Sequence, residues 1–535
     1  MKNSDYKKNF IKTKVTAVIF LLLITSSIPI INGKNIENNI KYENSKEKSI
    51  EISKNPDGID IEYAYSIIQN LSYIIFTEYN ESAGEIAKGR AFGTKGEHKA
   101  AQILYENMTN LGLITTKEKI NNTEHFPELT YGYDILDRKF TLKNEDYNET
   151  IECFISAIEL SPPLVHEKIY NLSFKDLKIK KYPNTVFELI KTIIDDKKDE
   201  EYLFLAEKLN DGLNRDPNIS LSFDLWLLRK IFNPISLPSV FYTYLRRDIR
   251  ISFLEKRFHN CKGIIISQFE KDTFDTAVTP SGKKQPVIIV NKTIGDKVLK
   301  DINNFTVDFY IKEMYNKSIE SYNVIGLLEG TDKNKTVVVD CLYDSVWCQG
   351  TGDAAIGMGI VMGVAKYFKD HNIHPKCNIK FIGFGGEEAG CRGVKFYTDV
   401  HNDENVTHVI DMNQVCSLQD YPRLTLNVIF NKFTFMNEIW PIIKESNYTK
   451  RVGNTDIAKR CWPLGAPSDD NHFTWSRKDK KFNIKTVCFL EDFPWIWHHR
   501  DGLKHKAGDV FDHVDWNEVE VLGEIVINIV KHLTV

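Results

Sequence analysis

The sequence predicts an α/β protein with a mixed, mostly parallel central sheet that is flanked by helices and carries an inserted β-rich lobe. Three observations predict this class. Apolar residues recur at helical spacing in two N-terminal segments, short β-like runs follow between residues 126 and 321, and strand and helix patterns then alternate toward the C-terminus. Such alternation is typical of a parallel sheet with helices packed on its faces.

The elements follow in chain order. Two helices are predicted, over residues 59–79 and from about 97 to 111. The β-like runs of the inserted lobe are residues 140–142, 263–267, 286–290 and 306–310, and a helical, charge-rich span is predicted over about 182–213. The alternating region consists of a strand at 336–339, a helix at 356–368, a strand at 379–384, a helix at 394–400 and a strand at 406–412.

The first 33 residues have the layout of an export signal. Five lysines precede an apolar run at residues 15–31, and small residues follow at 32–33. The protein is therefore predicted to be secreted or held at the cell surface. The apolar run also approaches the shortest length that spans a bilayer, so contact with a membrane is expected only if the segment stays uncleaved.

These patterns predict five regions along the chain. They are a signal peptide at 1–33, a poorly ordered leader at 34–57, the N-terminal part of the main α/β domain at 58–125, the inserted lobe at 126–320 and the core of the main α/β domain at 321–535.

Composition argues against a nucleic-acid partner. The full chain has a formal net charge of −4, and removal of residues 1–33 leaves about −8. With 42% apolar residues among 535, the chain can bury a large core.

Cysteines and sequons are consistent with export. Seven of the nine cysteines follow residue 340, so disulfides in the C-terminal part are one expectation, and reduced, buried cysteines are the alternative. Asn-x-Ser/Thr sites, which are glycosylation acceptors in a suitable host or products of an Asn-rich composition, occur at Asn70, Asn107, Asn171, Asn218, Asn304 and Asn447.

Residues 378–393 are the most informative segment, because an apolar strand ends there at glycines that precede Glu387 and Glu388. Neighbouring side chains at a strand end point in different directions. One carboxylate can therefore hold a cation while the other acts as general base on the water that the cation activates. Taken alone, such a pair is more often a solvated loop pair.

Further candidate ligands stand in similar positions. Asp344 follows one predicted strand, Asp353 lies in a Gly-rich loop before a helix, and Asp411 ends another strand. His505 precedes the sequence Lys-Ala-Gly-Asp. Strand carboxyl ends are where active groups collect in α/β sheets, so these residues are expected near Glu387.

The order of these motifs resembles the zinc-dependent aminopeptidase family that includes bacterial leucyl aminopeptidases and glutamate carboxypeptidase II. The resemblance covers about residues 59–125, which contain Arg-Ala-Phe-Gly-Thr-Lys-Gly-Glu-His from residue 90, and 321–535. It implies a zinc exopeptidase-like fold, a zinc cofactor and a peptide substrate. Within the inserted lobe, residues 261–291 resemble a protease-associated domain.

The resemblance also implies a role for each candidate. Asp353 takes the place of the aspartate that bridges two metals, Glu387 that of the general base, and Glu388 that of a metal ligand. Asp411 corresponds to the family's later aspartate ligand. His505 corresponds to its last histidine ligand.

Two departures from the family pattern stand out. The family strand normally ends His-x-Asp, whereas this chain has Leu342 in place of the metal-binding histidine and then Asp344. By the resemblance Asp344 would orient that histidine, so no partner is expected for it. Residues 468–473 read Ser-Asp-Asp-Asn-His-Phe where the family commonly has Ser-Asp-His before its aromatic residue.

One complete ligand set remains after these departures. Asp353, Glu388 and His505 form a three-ligand open site of the catalytic type. The second site keeps only Asp353 and Asp411, two oxygen donors that hold zinc weakly without help. Residues considered as substitutes for the histidine are Asp340, His472, His498 and His499.

The sequence therefore predicts an exported zinc-dependent exopeptidase, of aminopeptidase type, that uses one zinc. Two alternatives remain open. One is an inactive homologue that binds peptides or proteins, because fold alone does not guarantee chemistry. The other is a single-zinc acyltransferase similar to glutaminyl cyclases, which use an aspartate, a glutamate and a histidine around one metal.

Overall fold

Two eight-stranded mixed sheets, with helices packed against them, form the described part of the protein. The computed structural model describes residues 58–74, 89–151, 153–156, 168–182, 201–207, 260–267, 286–316, 318–416, 424–453, 455–463, 465–466, 468–475, 484–492 and 504–535. The predicted mixed α/β class is confirmed. The predicted signal peptide and leader lie outside the described residues.

The first sheet combines a strand from the N-terminal part of the chain with the strands that follow residue 321. Its strands are β1 (Ile114–Lys119), β10 (Tyr322–Leu328), β11 (Asp332–Leu342), β12 (Cys377–Phe384), β13 (Val406–Met412), β14 (Leu424–Phe430), β15 (Thr455–Cys461) and β16 (Lys485–Asp492). Their order across the sheet is β1-β10-β12-β11-β13-β16-β14-β15. The central strands β12, β11, β13 and β16 run parallel to one another.

The second sheet is built from strands between residues 132 and 316, within the span predicted for the inserted lobe. They are β2 (Gly132–Asn144), β3 (Tyr147–Thr150), β4 (Phe154–Ser156), β5 (Lys168–Lys181), β6 (Tyr202–Glu207), β7 (Cys261–Ser267), β8 (Val287–Val290) and β9 (Thr306–Asn316). The order is β3-β2-β9-β5-β6-β7-β8-β4. Apolar residues of this sheet, among them Phe140, Leu203, Ile288 and Phe309, form a core of their own.

The helices connect and cover the strands of the first sheet, apart from one that follows β8. They are α1 (Ile61–Ser72), α2 (Lys95–Asn110), α3 (Lys292–Lys300), α4 (Ile356–Asp370), α5 (Arg392–Val400), α6 (Phe433–Glu445), α7 (Tyr448–Val452), α8 (Asp469–Trp475) and α9 (Trp516–Thr534). Among the described residues, no helix is both long enough and apolar enough to cross a membrane.

Most predicted elements are present, with one correction. The alternating elements between 336 and 412 are observed as β11, α4, β12, α5 and β13. The helical span predicted over 182–213 is wrong where it is described, because Tyr202–Glu207 is strand β6. Residues 202–205 are buried between β5 and β7, so a continuous apolar run there reflects a strand covered on both faces.

Helix α4 is the most deeply buried helix near the strand ends that matter for function. It packs against α1 and α9, and only its last turns carry charged residues. Gly359 allows α1 to approach closely, because a Cβ at this position would lie 2.4 Å from Ile68 Cγ1. The helix is therefore closely packed just after the loop that precedes it.

The nine cysteines all lie in the described residues, and no disulfide joins any of them. Seven are buried and two are partly exposed. The expectation of disulfides in the C-terminal part is therefore not met by the structure, and the alternative of reduced cysteines fits it.

Arg90 joins the N-terminal helices to the end of β11. Its side chain is fully buried. The guanidinium donates hydrogen bonds to the carbonyl oxygens of Tyr343 at 2.6 Å, Leu71 at 3.0 Å, Gln349 at 2.6 Å and Gly350 at 2.9 Å. A planar group with five N–H donors suits this set of carbonyls, and a lysine could not reproduce it.

We expect Arg90→Met to lower the free energy of unfolding by at least about 3 kcal/mol, because buried carbonyl groups lose charged donors and stay unsatisfied. Urea unfolding followed by circular dichroism measures the change. Lys99→Met on the exposed side of α2 is the control and should leave the midpoint nearly unchanged. An Arg90→Met midpoint equal to that of the control would contradict this role.

Candidate active site

The carboxyl ends of three parallel strands meet at one edge of the first sheet. β11 pairs in parallel with both β12 and β13, which places Leu342 beside Phe384 and Cys341 beside Met412. The segments that follow β11 and β12 carry most of the predicted site residues. Because ligands bind outside the carboxyl ends of strands in open α/β sheets, this edge is the expected position of an active site.

Asp353 lies in the loop between β11 and α4, and its backbone is held from two sides. Arg90 binds the Gly350 carbonyl at the start of the loop. The Asp509 carboxylate accepts hydrogen bonds from the backbone N–H of Gly352 at 2.7 Å and of Asp353 at 3.1 Å. The Asp353 side chain is buried, and no hydrogen bond of normal geometry reaches either carboxylate oxygen. Its position is thus fixed while its oxygens remain available to a ligand.

Asp344 fixes the turn that carries the two glutamates. Its Oδ1 accepts a hydrogen bond from Glu387 N at 3.0 Å, and its Oδ2 accepts one from Glu388 N at 3.1 Å. Gly386 begins this turn at a φ of 70°, a conformation that favours glycine. The expectation that Asp344 has no partner is therefore wrong, because the side chain orients backbone amides rather than a histidine ring.

His505 brings the third element to the same point. Its Nε2 atom lies 3.3 Å from Asp353 Oδ2 and 3.0 Å from Glu388 Oε2. The residue adopts a φ of 60°, which is uncommon for a side chain with a Cβ. Such conformations persist where the surrounding structure holds them, and they cluster at functional sites.

Together, Asp353, Glu388 and His505 offer one ligand atom each, and these atoms lie within 4.8 Å of one another. One imidazole nitrogen and two carboxylate oxygens are a donor set that zinc accepts. Three protein ligands with a fourth position left for water or substrate are typical of catalytic rather than structural zinc sites. The residues present therefore fit a catalytic zinc ion.

The electrostatics of the three residues agree with this assignment. Burial opposes protonation of the His505 ring, but Glu388 and Asp353 raise its pKa well above the ordinary value. Burial also opposes ionisation of Asp353, whereas the Lys504 ammonium and the His505 ring lower its pKa below the ordinary value. The two carboxylates therefore create a strongly negative potential at the ring nitrogen, which favours a divalent cation there.

Glu387 is placed beside this set without belonging to it. Burial, followed by the Glu388 carboxylate, raises the pKa of Glu387 to about 8. The charges of Lys504 and His505 oppose that rise. A carboxyl group whose pKa lies near neutral pH can both accept and release a proton, as a general base must.

Asp411 occupies a different environment from the one its family role implies. It groups with Asp470 and Cys488, whose ligand atoms lie within 4.8 Å of one another, and not with Asp353. Leu342 is fully buried and offers no donor atom. Of the substitutes considered for the missing histidine, Asp340 lies beside Asp411 in the sheet register, while residues 498 and 499 are outside the described residues.

Lys504 is a site residue that sequence reasoning did not identify. Its Nζ atom lies 3.5 Å from Asp353 Oδ2 and 3.4 Å from Asn413 Oδ1. A single lysine in a Lys-rich loop carries no local pattern, and only its position next to His505 was a signal. The Lys504 ammonium group partly offsets the negative charge of the Asp353 and Glu388 carboxylates.

We expect Asp344→Asn to lower kcat of the hydrolysis proposed below by about 10- to 100-fold, because an amide presents one N–H₂ group to two backbone N–H donors. KM should change little, since the substrate is not contacted. Asp403→Asn, at an exposed position, is the matched control. Steady-state kinetics on both variants decide the matter, and an Asp344→Asn enzyme with the kcat of the control would show that the turn does not depend on this carboxylate.

The fold and the grouped ligand atoms agree with the resemblance to zinc-dependent aminopeptidases that the sequence motifs indicate. Residues 323–530 match the model of Peptidase family M28, so the family resemblance seen in the sequence is confirmed for the C-terminal part of the chain.

Two solved structures extend the similarity over most of the chain. One is BSAP, a zinc aminopeptidase from Bacillus subtilis, with a TM-score of 0.54 and 18% identity over 89% of this chain and 95% of that chain. The other is a Peptidase M28 precursor from Shewanella amazonensis SB2B, with a TM-score of 0.54 and 15% identity over 88% of this chain and 92% of that chain. At such identities the likeness shows the fold. No curated protein matches the sequence.

Proposed function

We propose that the protein is an exported exopeptidase of aminopeptidase type that hydrolyses peptide bonds with a single catalytic zinc ion. The observation that carries the proposal is the convergence of Asp353, Glu388 and His505, with Glu387 next to them. The family match and the likeness to a zinc aminopeptidase support the choice of reaction and metal.

A zinc ion held by Asp353, Glu388 and His505 would supply Lewis acidity, which would polarise the scissile carbonyl group and make water a stronger acid. Glu387 accepts the proton of the attacking water and passes it to the leaving amine. Asp344 and Asp509 accept hydrogen bonds from the backbone N–H groups of Glu387 and Asp353, which orients the two loops that carry these carboxylates.

Leu342 supports a single catalytic metal. The family's second metal requires a histidine at this position, and a fully buried leucine cannot replace it. The partner aspartate of that second site, Asp411, groups with other residues. One Lewis acid and one general base are chemically sufficient for peptide hydrolysis, because together they supply the nucleophile and stabilise the developing oxyanion.

Export is part of the proposal because of the N-terminal sequence. The lysine-rich start, the apolar run and the small residues at 32–33 support cleavage after the signal. Mass spectrometry of the protein recovered from the culture medium of an expressing host would give a mature N-terminus near residue 34, whereas an intact N-terminus in the membrane fraction would indicate an anchored protein at the cell surface.

We expect a chelator to abolish release of the chromophore from aminoacyl chromogenic substrates and added zinc to restore it, because the three-ligand site alone binds the activating metal. Initial rates before chelation, after it and after zinc addition measure the effect. Undiminished hydrolysis in the zinc-free protein would refute a metal-dependent peptidase. Zinc binding without hydrolysis of any peptide substrate would instead support an inactive peptide-binding homologue.

A second candidate function follows from the same donor set. Glutaminyl cyclases resemble this family, and they also use one aspartate, one glutamate and one histidine around a single metal. Incubation with a peptide that begins with glutamine separates the two reactions. Release of the N-terminal residue supports the aminopeptidase, whereas loss of ammonia with an uncleaved chain supports the cyclase.

A further inference from the structure

A second group of ligand atoms lies in the interior of the first sheet. Asp340, Asp411 and Cys488 are direct neighbours in the register of the parallel strands β11, β13 and β16. Register partners in parallel strands point to the same face of the sheet. Asp470, from the first turn of α8, places its carboxylate within 4.8 Å of the Asp411 and Cys488 ligand atoms.

The carboxylate of Asp340 lacks the hydrogen bonds that buried carboxylates normally have. The side chains of Asp340 and Asp411 are fully buried, and neither oxygen of Asp340 has a hydrogen-bond partner in the described structure. Asp411 is approached by the Ser468 and Cys488 side chains and by the Asp470 backbone, but no hydrogen bond of normal geometry reaches its oxygens. Asp470 Oδ2 accepts from Ala466 N and Thr486 Oγ1, but its Oδ1 has no such partner. Burial of a charged group without a partner raises the free energy of the folded state. A cluster of such carboxylates therefore indicates a bound cation.

We propose that Asp411, Asp470 and Cys488, with Asp340 as the fourth donor, form a second and closed cation site that binds zinc. A thiolate among oxygen donors favours a borderline-soft ion such as zinc over magnesium or calcium, which prefer oxygen donors alone. Four protein donors with no room for water are typical of structural zinc sites.

This site differs from the second catalytic metal that the family resemblance implies. That metal would share Asp353 with the first and take a histidine at the position of Leu342. In this chain the Asp411 carboxylate instead groups with donors from β16 and α8. The ion would join three adjacent strands and one helix, and would compensate the charge of the buried carboxylates.

The site also has a consequence for the catalytic centre. Asp469, adjacent to Asp470 on α8, is fully buried, and the charges of Glu387 and Asp411 add to the effect of burial in raising its pKa. An ion bound by Asp470 would fix the first turn of α8, which also carries Asp469. The second ion is therefore structural, and its loss should loosen the wall of the active site.

Zinc content of purified protein after saturation and desalting tests the proposal without any assay of activity. The wild type should retain two equivalents, and Cys488→Ala should retain one. His505→Ala should also retain one, because it removes the other site. Cys377→Ala, at the start of β12, is the matched control and should retain two.

Cobalt substitution of the wild type provides a test that does not depend on the folding of a variant. A cobalt ion bound to Cys488 gives a thiolate-to-metal charge-transfer band in the near ultraviolet. The band should persist in His505→Ala and disappear in Cys488→Ala. Wild-type protein that binds one equivalent and shows no thiolate band would overturn the proposal.

The zinc-content experiment distinguishes failure of the second-site proposal from failure of the proposed peptidase function. If the protein is not a peptidase, Cys488→Ala still lowers the zinc content by one equivalent. If the second site does not exist, the wild type hydrolyses peptides with one equivalent, and Cys488→Ala has the same zinc content as the wild type.

Discussion

Glu387→Gln should lower kcat for peptide hydrolysis by about 10²- to 10⁴-fold or more, while the zinc content stays that of the wild type. The amide has nearly the shape of the carboxylate but cannot accept the proton of the attacking water. Glu387 is not among the three grouped ligands, so metal binding should survive the change. Steady-state rates on an aminoacyl chromogenic substrate, with zinc measured on the same samples, give both quantities.

Glu445→Gln serves as the control, because this exposed glutamate ends α6 and has no part in the site. It should retain full activity and full zinc content. Were Glu387→Gln to hydrolyse the substrate at the rate of the control, another group would have to be the general base. Joint loss of activity and zinc would mean that Glu387 acts as a ligand.

His505→Ala should remove the catalytic zinc and reduce hydrolysis to background. The ring is the one nitrogen donor of the set, and two carboxylates alone bind zinc weakly. Without the ring, Asp353 and Glu388 also lose the group that separates their charges. Elemental analysis and the activity assay should therefore both show a loss.

The matched control is His374→Ala, at an exposed position between α4 and β12. It should leave metal content and hydrolysis unchanged. Retention of full activity by His505→Ala at limiting zinc would show that the catalytic metal is held elsewhere. Excess zinc is to be avoided in this comparison, because mass action can refill a weakened site.

The sequence predicted the fold class and the grouping of Asp353, Glu388 and His505 for physical reasons that the structure makes clear. Alternating strands and helices place the carboxyl ends of parallel strands at one edge, so polar residues after β11 and β12 must come close to each other. The contribution of His505, more than a hundred residues later, could not be inferred from local periodicity. It came from the resemblance to a known family.

Other features depend on contacts that a linear pattern does not encode. Cys488 lies in a buried strand, where it is indistinguishable from a small apolar residue until its neighbours Asp411 and Asp470 are known. Asp469 and Asp470 depart from the family pattern in the sequence, but the sequence does not show which residues they contact. The role of Asp344 could not be predicted, because its carboxylate accepts hydrogen bonds from backbone N–H groups, which every residue type except proline provides.

Zinc-edge anomalous diffraction from crystals of the zinc-loaded protein tests the central claim most directly. We expect a strong peak about 2.0–2.2 Å from His505 Nε2 and from one carboxylate oxygen each of Asp353 and Glu388. A map from saturated crystals with no peak within reach of these three residues would contradict it.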